Sequence, residues 1–171
     1  MIQIRSEGPG DDDALRQVHE SAFSPSLNEA ILVKMLHDAG KASVSLVALE
    51  AGQIVGHVLF SPVSVAIAPE QFRGIGMAPV AVLPAHQNMG IGSQLIRQGL
   101  EKCRGAGYDA VVVLGHTSYY PRFGFQPASS FHLENEYDAG DAFMALELVP
   151  GALKQARGLI KYAPEFRAAG C

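Results

Sequence analysis

Residues 80–95 read Val80-Ala81-Val82-Leu83-Pro84-Ala85-His86-Gln87-Asn88-Met89-Gly90-Ile91-Gly92-Ser93-Gln94-Leu95. No other segment of the chain constrains its fold as tightly. An alternating apolar strand ends, a short turn follows, and a helix opens on glycines. The first turn of a helix has unpaired N–H groups and a partial positive charge. Gly90 and Gly92 carry no side chains to screen those donors. No Asp or Glu lies between Gln87 and Leu100, so the chain leaves that charge unanswered. Such a turn suits an external anion such as a pyrophosphate. A tight strand-to-helix connection can also need glycine for its backbone alone, and the residues by themselves leave both readings standing. No Gly-Lys-Ser/Thr follows, so this is not a P-loop. A Gly-x-Gly-x-x-Gly fingerprint is not completed after Gly92.

The flanking residues give the architecture. Ile91, Leu95, Ile96, Gly99, Leu100 and Cys103 share one helical face, and Lys102, Arg104 and Gly105 suit the carbonyl end. Ala110 to Leu114 is a continuous apolar run, the pattern of a buried central strand. Pro79 sits in the strand before the turn and cannot donate to a ladder, which implies a bulge or an edge. A bulge there would splay this strand from its parallel neighbour and free backbone groups for an extended, amide-bearing ligand.

Upstream, Ile2 to Arg5 reads as a strand, and Asp11-Asp12-Asp13 opens a helix through about Phe23. Ser26-x-x-Glu29 forms a capping box before Leu27, Ile31, Leu32, Met35 and Leu36, expected on one helical face. Gly40 suits the C′ position. Val44, Leu46 and Ala48 alternate with Ser43, Ser45 and Val47. A second strand runs from Ile54 to Phe60, bends at Pro62 and reaches Ile67. A third runs from Phe72 to Val82, and a late one from Phe143 to Val149. A further helical turn is expected within residues 151–158. This order predicts an α+β fold with a mixed sheet, as a single domain over residues 1–171.

Composition narrows the function. Thirteen Lys and Arg against 17 Asp and Glu leave a net charge of −4. Without basic clusters, this argues against nucleic acid or an anionic membrane as partner. No apolar run approaches the roughly 20 residues of a membrane helix. The N-terminus has no apolar signal core, and the cytoplasm is the expected location. Cys103 and Cys171 imply no disulfide framework, and the six histidines show no metal-ligand spacing, so no metal is expected.

Gln87-x-x-Gly90-x-Gly92, following a Val-x-Val-x-Pro strand, resembles motif A of the GNAT superfamily of N-acetyltransferases. Gly115-His116-Thr117-Ser118-Tyr119-Tyr120-Pro121-Arg122-Phe123-Gly124-Phe125 resembles that family's motif B ending, Tyr-x-x-x-Gly-Phe. The Leu-Gly-His and Tyr-Tyr-Pro-Arg-Phe-Gly-Phe wording is similar to the bacterial YhbS-like subgroup. The resemblance runs from about Ile2 to Val149. It implies the GNAT acyl-CoA N-acyltransferase fold: a central, mostly antiparallel sheet with a splayed parallel strand pair, flanked by helices.

It also implies acetyl-CoA as donor and a primary amine as acceptor, attacking directly in a ternary complex. Backbone N–H groups of Gln87, Asn88, Met89, Gly90, Ile91, Gly92 and Ser93 would hold the pyrophosphate of coenzyme A. Val80 and Val82 would pair with pantetheine, and an N–H near Val82 would polarise the thioester carbonyl. Tyr120 lies at the family's acid position, four residues before Gly124, and its phenol would protonate the leaving thiolate. Tyr119, one residue out of register, ranks second. His116, at the end of the buried strand, would take the amine proton or contact substrate.

Plainer roles stand beside these. Tyr120 can serve as a packed ring, Phe123 and Phe125 read as core, Arg122 suits a CoA phosphate or a surface ion pair, and Glu29 is explained by capping. Many family members carry an acidic base on the strand before the turn, and Met77 to Val82 has none. Gln87 stands where many relatives have Arg. The competing expectation is a non-catalytic acyl-CoA-binding sensor or regulatory module. A nucleotide-binding α/β domain fits less well, since no Rossmann fingerprint is completed. The acceptor would be a small-molecule or peptide amine, and a homodimer is compatible with the sequence.

Overall fold

In the computed structural model, which describes residues 1–171, β1 (Ile2–Ser6) pairs antiparallel with β2 (Val44–Glu50), from Ile2↔Glu50 to Ser6↔Leu46. An Ala51-Gly52 turn with positive φ at both residues returns the chain into β3 (Gln53–Ile67), antiparallel to β2 with a register shift at Ala48/Leu49. Packing divides the chain into two compact units. The first contains residues 1–61, 78–99 and 164–171, and the second residues 62–77 and 100–163. β3 continues unbroken through Pro62, where the sequence suggested a bend.

In the first unit, α1 (Asp12–Ala22) packs against α2 (Asn28–Asp38). Leu15, Val18, Leu32, Val33 and Leu36 are buried, as are Val47, Val58 and Phe60 of the strands. The expected face of α2 is corrected here. Leu27 precedes the helix and is 53% exposed, and Ile31 is 48% exposed, so the buried stripe is rotated onto Leu32, Val33 and Leu36. The capping box is corrected too. Ser26 Oγ donates to the Glu29 carboxylate at 3.1 Å and accepts from Asn28 N–H at 3.2 Å, instead of closing on the third residue of the helix. At the other end, Gly40 (φ +70°) takes the expected role. Its N–H bonds His37 O and Lys41 N–H bonds Leu36 O, a Schellman pattern.

A polar chain, buried at His19 and His57 and half-buried at Glu7, His37 and Ser45, ties five segments of this unit together. His37 Nδ1 lies 2.8 Å from Val33 O, and its Nε2 lies 2.7 Å from Glu7 Oε1. Ser45 Oγ donates to the same Glu7 oxygen. Its only proton is thereby used, so His57 Nε2–H must donate to Ser45 Oγ, at 2.7 Å. His57 Nδ1 is then an acceptor, filled by His19 Nε2–H at 2.8 Å. Every donor direction follows from the carboxylate at Glu7. Burial first, then repulsion from His57, lowers the His19 pKa to about 3. The Glu7 hydrogen bond raises that of His37 to about 9.

In the second unit, β4 (Gly74–Val82) starts parallel to β5 (Ala110–Leu114), from Gly74↔Ala110 to Gly76↔Val112. β5 pairs antiparallel with β8 (Phe143–Glu147) along its whole length, and β8 pairs with the two-residue β6 (Gln126–Pro127). The outer part of β3 pairs antiparallel with β9 (Arg157–Lys161), which runs parallel to β7 (Leu133–Asn135). The sheet is therefore mixed. Ala110 to Val113 are buried on both faces, as their unbroken apolar run requires. The late strand stops at Glu147, two residues short of the expected end, and a 3-10 turn at Ala152–Gln155 supplies the expected helical turn. The last element, α4 (Pro164–Ala168), belongs to the first unit.

Candidate active site

The strand-to-helix connection lies in the first unit. Ala78 to Val82 end β4, and the Ala78–Pro79 peptide is cis. Leu83 N–H then bonds Val55 O of β3 at 2.8 Å. A 3-10 turn (Pro84–His86) follows, and α3 (Ile91–Gly105) begins after Gly90, whose φ of +82° suits glycine. Asn88 also takes positive φ, at +62°. Gln94 N–H closes the first helical bond onto Gly90 O at 3.1 Å. The first turn of α3 holds no acid, and Gln87, Asn88, Met89 and Gly90 are exposed. Gly92 and Ser93 are half-buried at the helix start.

One residue of this turn does something the sequence did not suggest. Gln87 turns its side chain back, and Nε2 donates to Val82 O at 3.0 Å. It thus braces the end of β4 against the turn. Ile91 is 1% exposed, so only its backbone is available to an anion. Its side chain reaches towards Gly56, where an added Cβ would meet Leu95 Cδ1 at 3.1 Å, Ala81 O at 3.3 Å and Ile91 Cγ2 at 3.3 Å. The isolated glycine in β3 therefore admits the close approach of β4 and α3, which an isolated strand glycine commonly signals.

His116, Tyr119 and Tyr120 lie in the second unit, in the loop leaving β5. The His116 carbonyl accepts from Tyr119 N–H at 3.1 Å and Tyr120 N–H at 3.3 Å, so the three residues form one tight turn. A 3-10 turn (Tyr120–Phe123) ends at Gly124, which has φ +98°. The two tyrosines are then treated differently. The Arg122 guanidinium sits 4.2 Å above the Tyr119 ring and its Nε–H bonds Tyr119 O, so this ring is covered by a cation. Tyr120 packs edge-on against Tyr119 (5.1 Å) and Phe125 (6.0 Å). Its ring also lies against the Gly115 backbone, close enough that any Cβ at residue 115 would overlap it. Burial, and then the neighbouring Tyr119, raises the phenol pKa and keeps the proton on oxygen. Phe125 is core at 2% exposure, as expected. The His116 side chain is exposed.

The thiols do not compete for the chemistry. Burial pushes Cys103 up to about 12, and burial with Glu29 nearby pushes Cys171 up to about 11. Neither is a thiolate at neutral pH, which a covalent acyl carrier would need to be.

The chain matches the acetyltransferase (GNAT) domain family over residues 3–128, and it belongs to that family. Among curated relatives, it is 36% identical over 167 residues to the uncharacterized N-acetyltransferase YhbS of Escherichia coli K12, with 96% of each chain covered. Its structure is similar to that of Escherichia coli YhbS in complex with CoA, with a TM-score of 0.90 at 35% identity over 97% of this chain and 92% of that one. It is also similar to a GNAT family acetyltransferase from Brucella melitensis in complex with acetyl-CoA. There the TM-score is 0.79 at 38% identity, over 97% of this chain and 98% of that one.

Proposed function

We propose that this protein transfers an acetyl group from acetyl-CoA to a primary amine, by direct attack in a ternary complex. The observation that carries the donor reading is the glycine-opened start of α3, with no acid in its first turn and residues 87–90 exposed. The positive end of the helix dipole favours a pyrophosphate there. Gln87 to Ser93 hold the phosphates through their backbones, and Val80 and Val82 pair with the pantetheine arm.

The amine nitrogen forms a bond to the thioester carbonyl carbon. The tetrahedral intermediate collapses with cleavage of the C–S bond, and the thiolate takes the Tyr120 phenol proton. Tyr120 carries its proton at neutral pH, as a general acid must, and burial keeps it there. Tyr119 is the poorer candidate, since Arg122 covers its ring. His116, exposed at the end of β5, is the side chain assigned to take the amine proton. The acceptor is a small-molecule or peptide amine. The chain acts as one cytoplasmic catalytic domain, and no helix is long and apolar enough to cross a membrane.

Calorimetric titration with acetyl-CoA, and with NADH in parallel, tests the donor site. Acetyl-CoA heat without NADH heat is expected. No acetyl-CoA heat would make the glycine turn a purely structural connection and remove the proposal.

A further inference from the structure

The turn between β4 and α3 must keep its N–H groups in place before a ligand arrives, or binding would carry the cost of ordering them. Backbone bonds close the turn on itself: His86 N–H to Leu83 O at 2.8 Å and Gln87 N–H to Pro84 O at 3.4 Å. Two contacts fasten it to β3, the Leu83–Val55 bond and the packing at Gly56. One side-chain contact fastens it to β2. His86 Nε2 lies 2.6 Å from Glu50 Oε2, and Glu50 is the last residue of β2. The carboxylate only accepts, so Nε2 carries a proton and donates. The other ring nitrogen, Nδ1, is buried without a hydrogen-bond partner. The imidazole is thus packed on one edge and tethered on the other, immediately before Gln87.

The pair also handles a charge. Glu50 stands beside a turn that carries no acid of its own, and a free carboxylate there would repel a pyrophosphate. From these contacts we infer that Glu50 and His86 are positioning residues for acetyl-CoA. His86 holds the turn in register on β2 and occupies the Glu50 carboxylate. Neither residue touches the reacting atoms. The inference rests on the donor reading above.

Three variants separate this role from a merely structural one. Glu50→Gln keeps an acceptor for Nε2–H and should bind acetyl-CoA as the parent does. Glu50→Ala removes the tether and should raise KM and Kd for acetyl-CoA by about three- to tenfold, the range of one lost hydrogen bond. The effect on kcat at saturation should stay within about twofold, since positioning for binding is lost and not the chemistry. His86→Ala removes the tether and also frees the carboxylate, so it should weaken binding more than Glu50→Ala. Adding Glu50→Ala to His86→Ala should then restore binding to the Glu50→Ala level. Calorimetry and steady-state kinetics on the full chain read all of these. If the parent binds acetyl-CoA and Glu50→Ala binds equally well, the inference is overturned. A fall in kcat with unchanged KM overturns it too. If the parent itself gives no heat, it is the donor reading that fails.

Discussion

Gly115→Ala is a one-methyl test of whether Tyr120 acts as an acid. Gly115 does not adopt a left-handed φ, and its N–H bond to Ala142 O (3.0 Å) does not involve the side chain, so alanine brings no backbone strain. The methyl would instead meet the Tyr120 ring, with Cδ2 at 3.0 Å, Cζ at 3.3 Å and Cε2 nearer still. Carbon atoms rest at about 3.5–4.0 Å. The ring must therefore withdraw by about 1 Å or more, against neighbours on Tyr119, Phe123 and Phe125. Overpacking of this kind destabilises by about 1–3 kcal/mol, which a folded domain tolerates. A catalytic group misplaced by about 1 Å loses on the order of 10²-fold in rate. Steady-state release of free CoA thiol should show kcat falling by that amount with KM for acetyl-CoA little changed. Combining Gly115→Ala with Tyr120→Phe should be no slower than Tyr120→Phe alone, because both act through one hydroxyl. A Gly115→Ala enzyme with parental kcat would refute the reasoning.

Other outcomes follow from the same structure. Tyr120→Phe should lower kcat by about 10²–10⁴-fold while acetyl-CoA affinity is unchanged; a parental kcat would free Tyr120 of the role. Gly99→Ala places a methyl against the fully buried Phe60 ring. Overpacking of about 1–3 kcal/mol then exceeds the gain of about 1 kcal/mol in helix propensity, and thermal unfolding should drop by about 2–4 °C; a rise in Tm would contradict this. Stability should peak near neutral pH. His37 is raised from 6.5 to about 9, so its contribution is complete below 6.5 and is lost as pH climbs through 9. His19 is depressed to about 3, so stability declines as pH falls from 6.5 towards that value. Glu7, lowered chiefly by its bond to His37 against the opposing effect of burial, adds a further loss below its ordinary value of 4.5. Urea melts across pH should show both flanks, and His37→Gln should flatten the alkaline one; an alkaline flank that survives this change would place it elsewhere.

The parts of the fold that announce themselves do so through long periodic or unbroken apolar patterns. α3 spans Ile91–Gly105 and β5 spans Ala110–Leu114, as their apolar faces and flanking glycines indicate. β6 and β7 did not stand out, because two or three residues cannot establish a period and Gln126–Pro127 contains a proline, and β9, Arg-Gly-Leu-Ile-Lys, carries only two adjacent apolar side chains. Leu27 and Ile31 fit a helical face by spacing, but the helix starts at Asn28 and is rotated so that Val33 faces inward instead. The motif residues of the site were legible as local strings. Their supports were not. Gly115 beneath Tyr120, Gly56 beneath Ile91 and Glu50 against His86 are meetings of distant segments, or a single glycine whose purpose only its neighbour explains. The chain from His37 to His19 likewise depends on five segments converging, which no spacing encodes.

The central claim is that acetyl-CoA is turned over and not merely held. The direct test incubates the protein with acetyl-CoA and a panel of primary amines, small molecules and peptides together, and follows both free thiol and the mass of each amine. The account predicts thiol release that depends on one class of amine, matched mole for mole by the gain of one acetyl group on that amine. Acetyl-CoA binding with no thiol release above the uncatalysed rate across the panel would contradict it, and would leave a protein that senses acyl-CoA without transferring it.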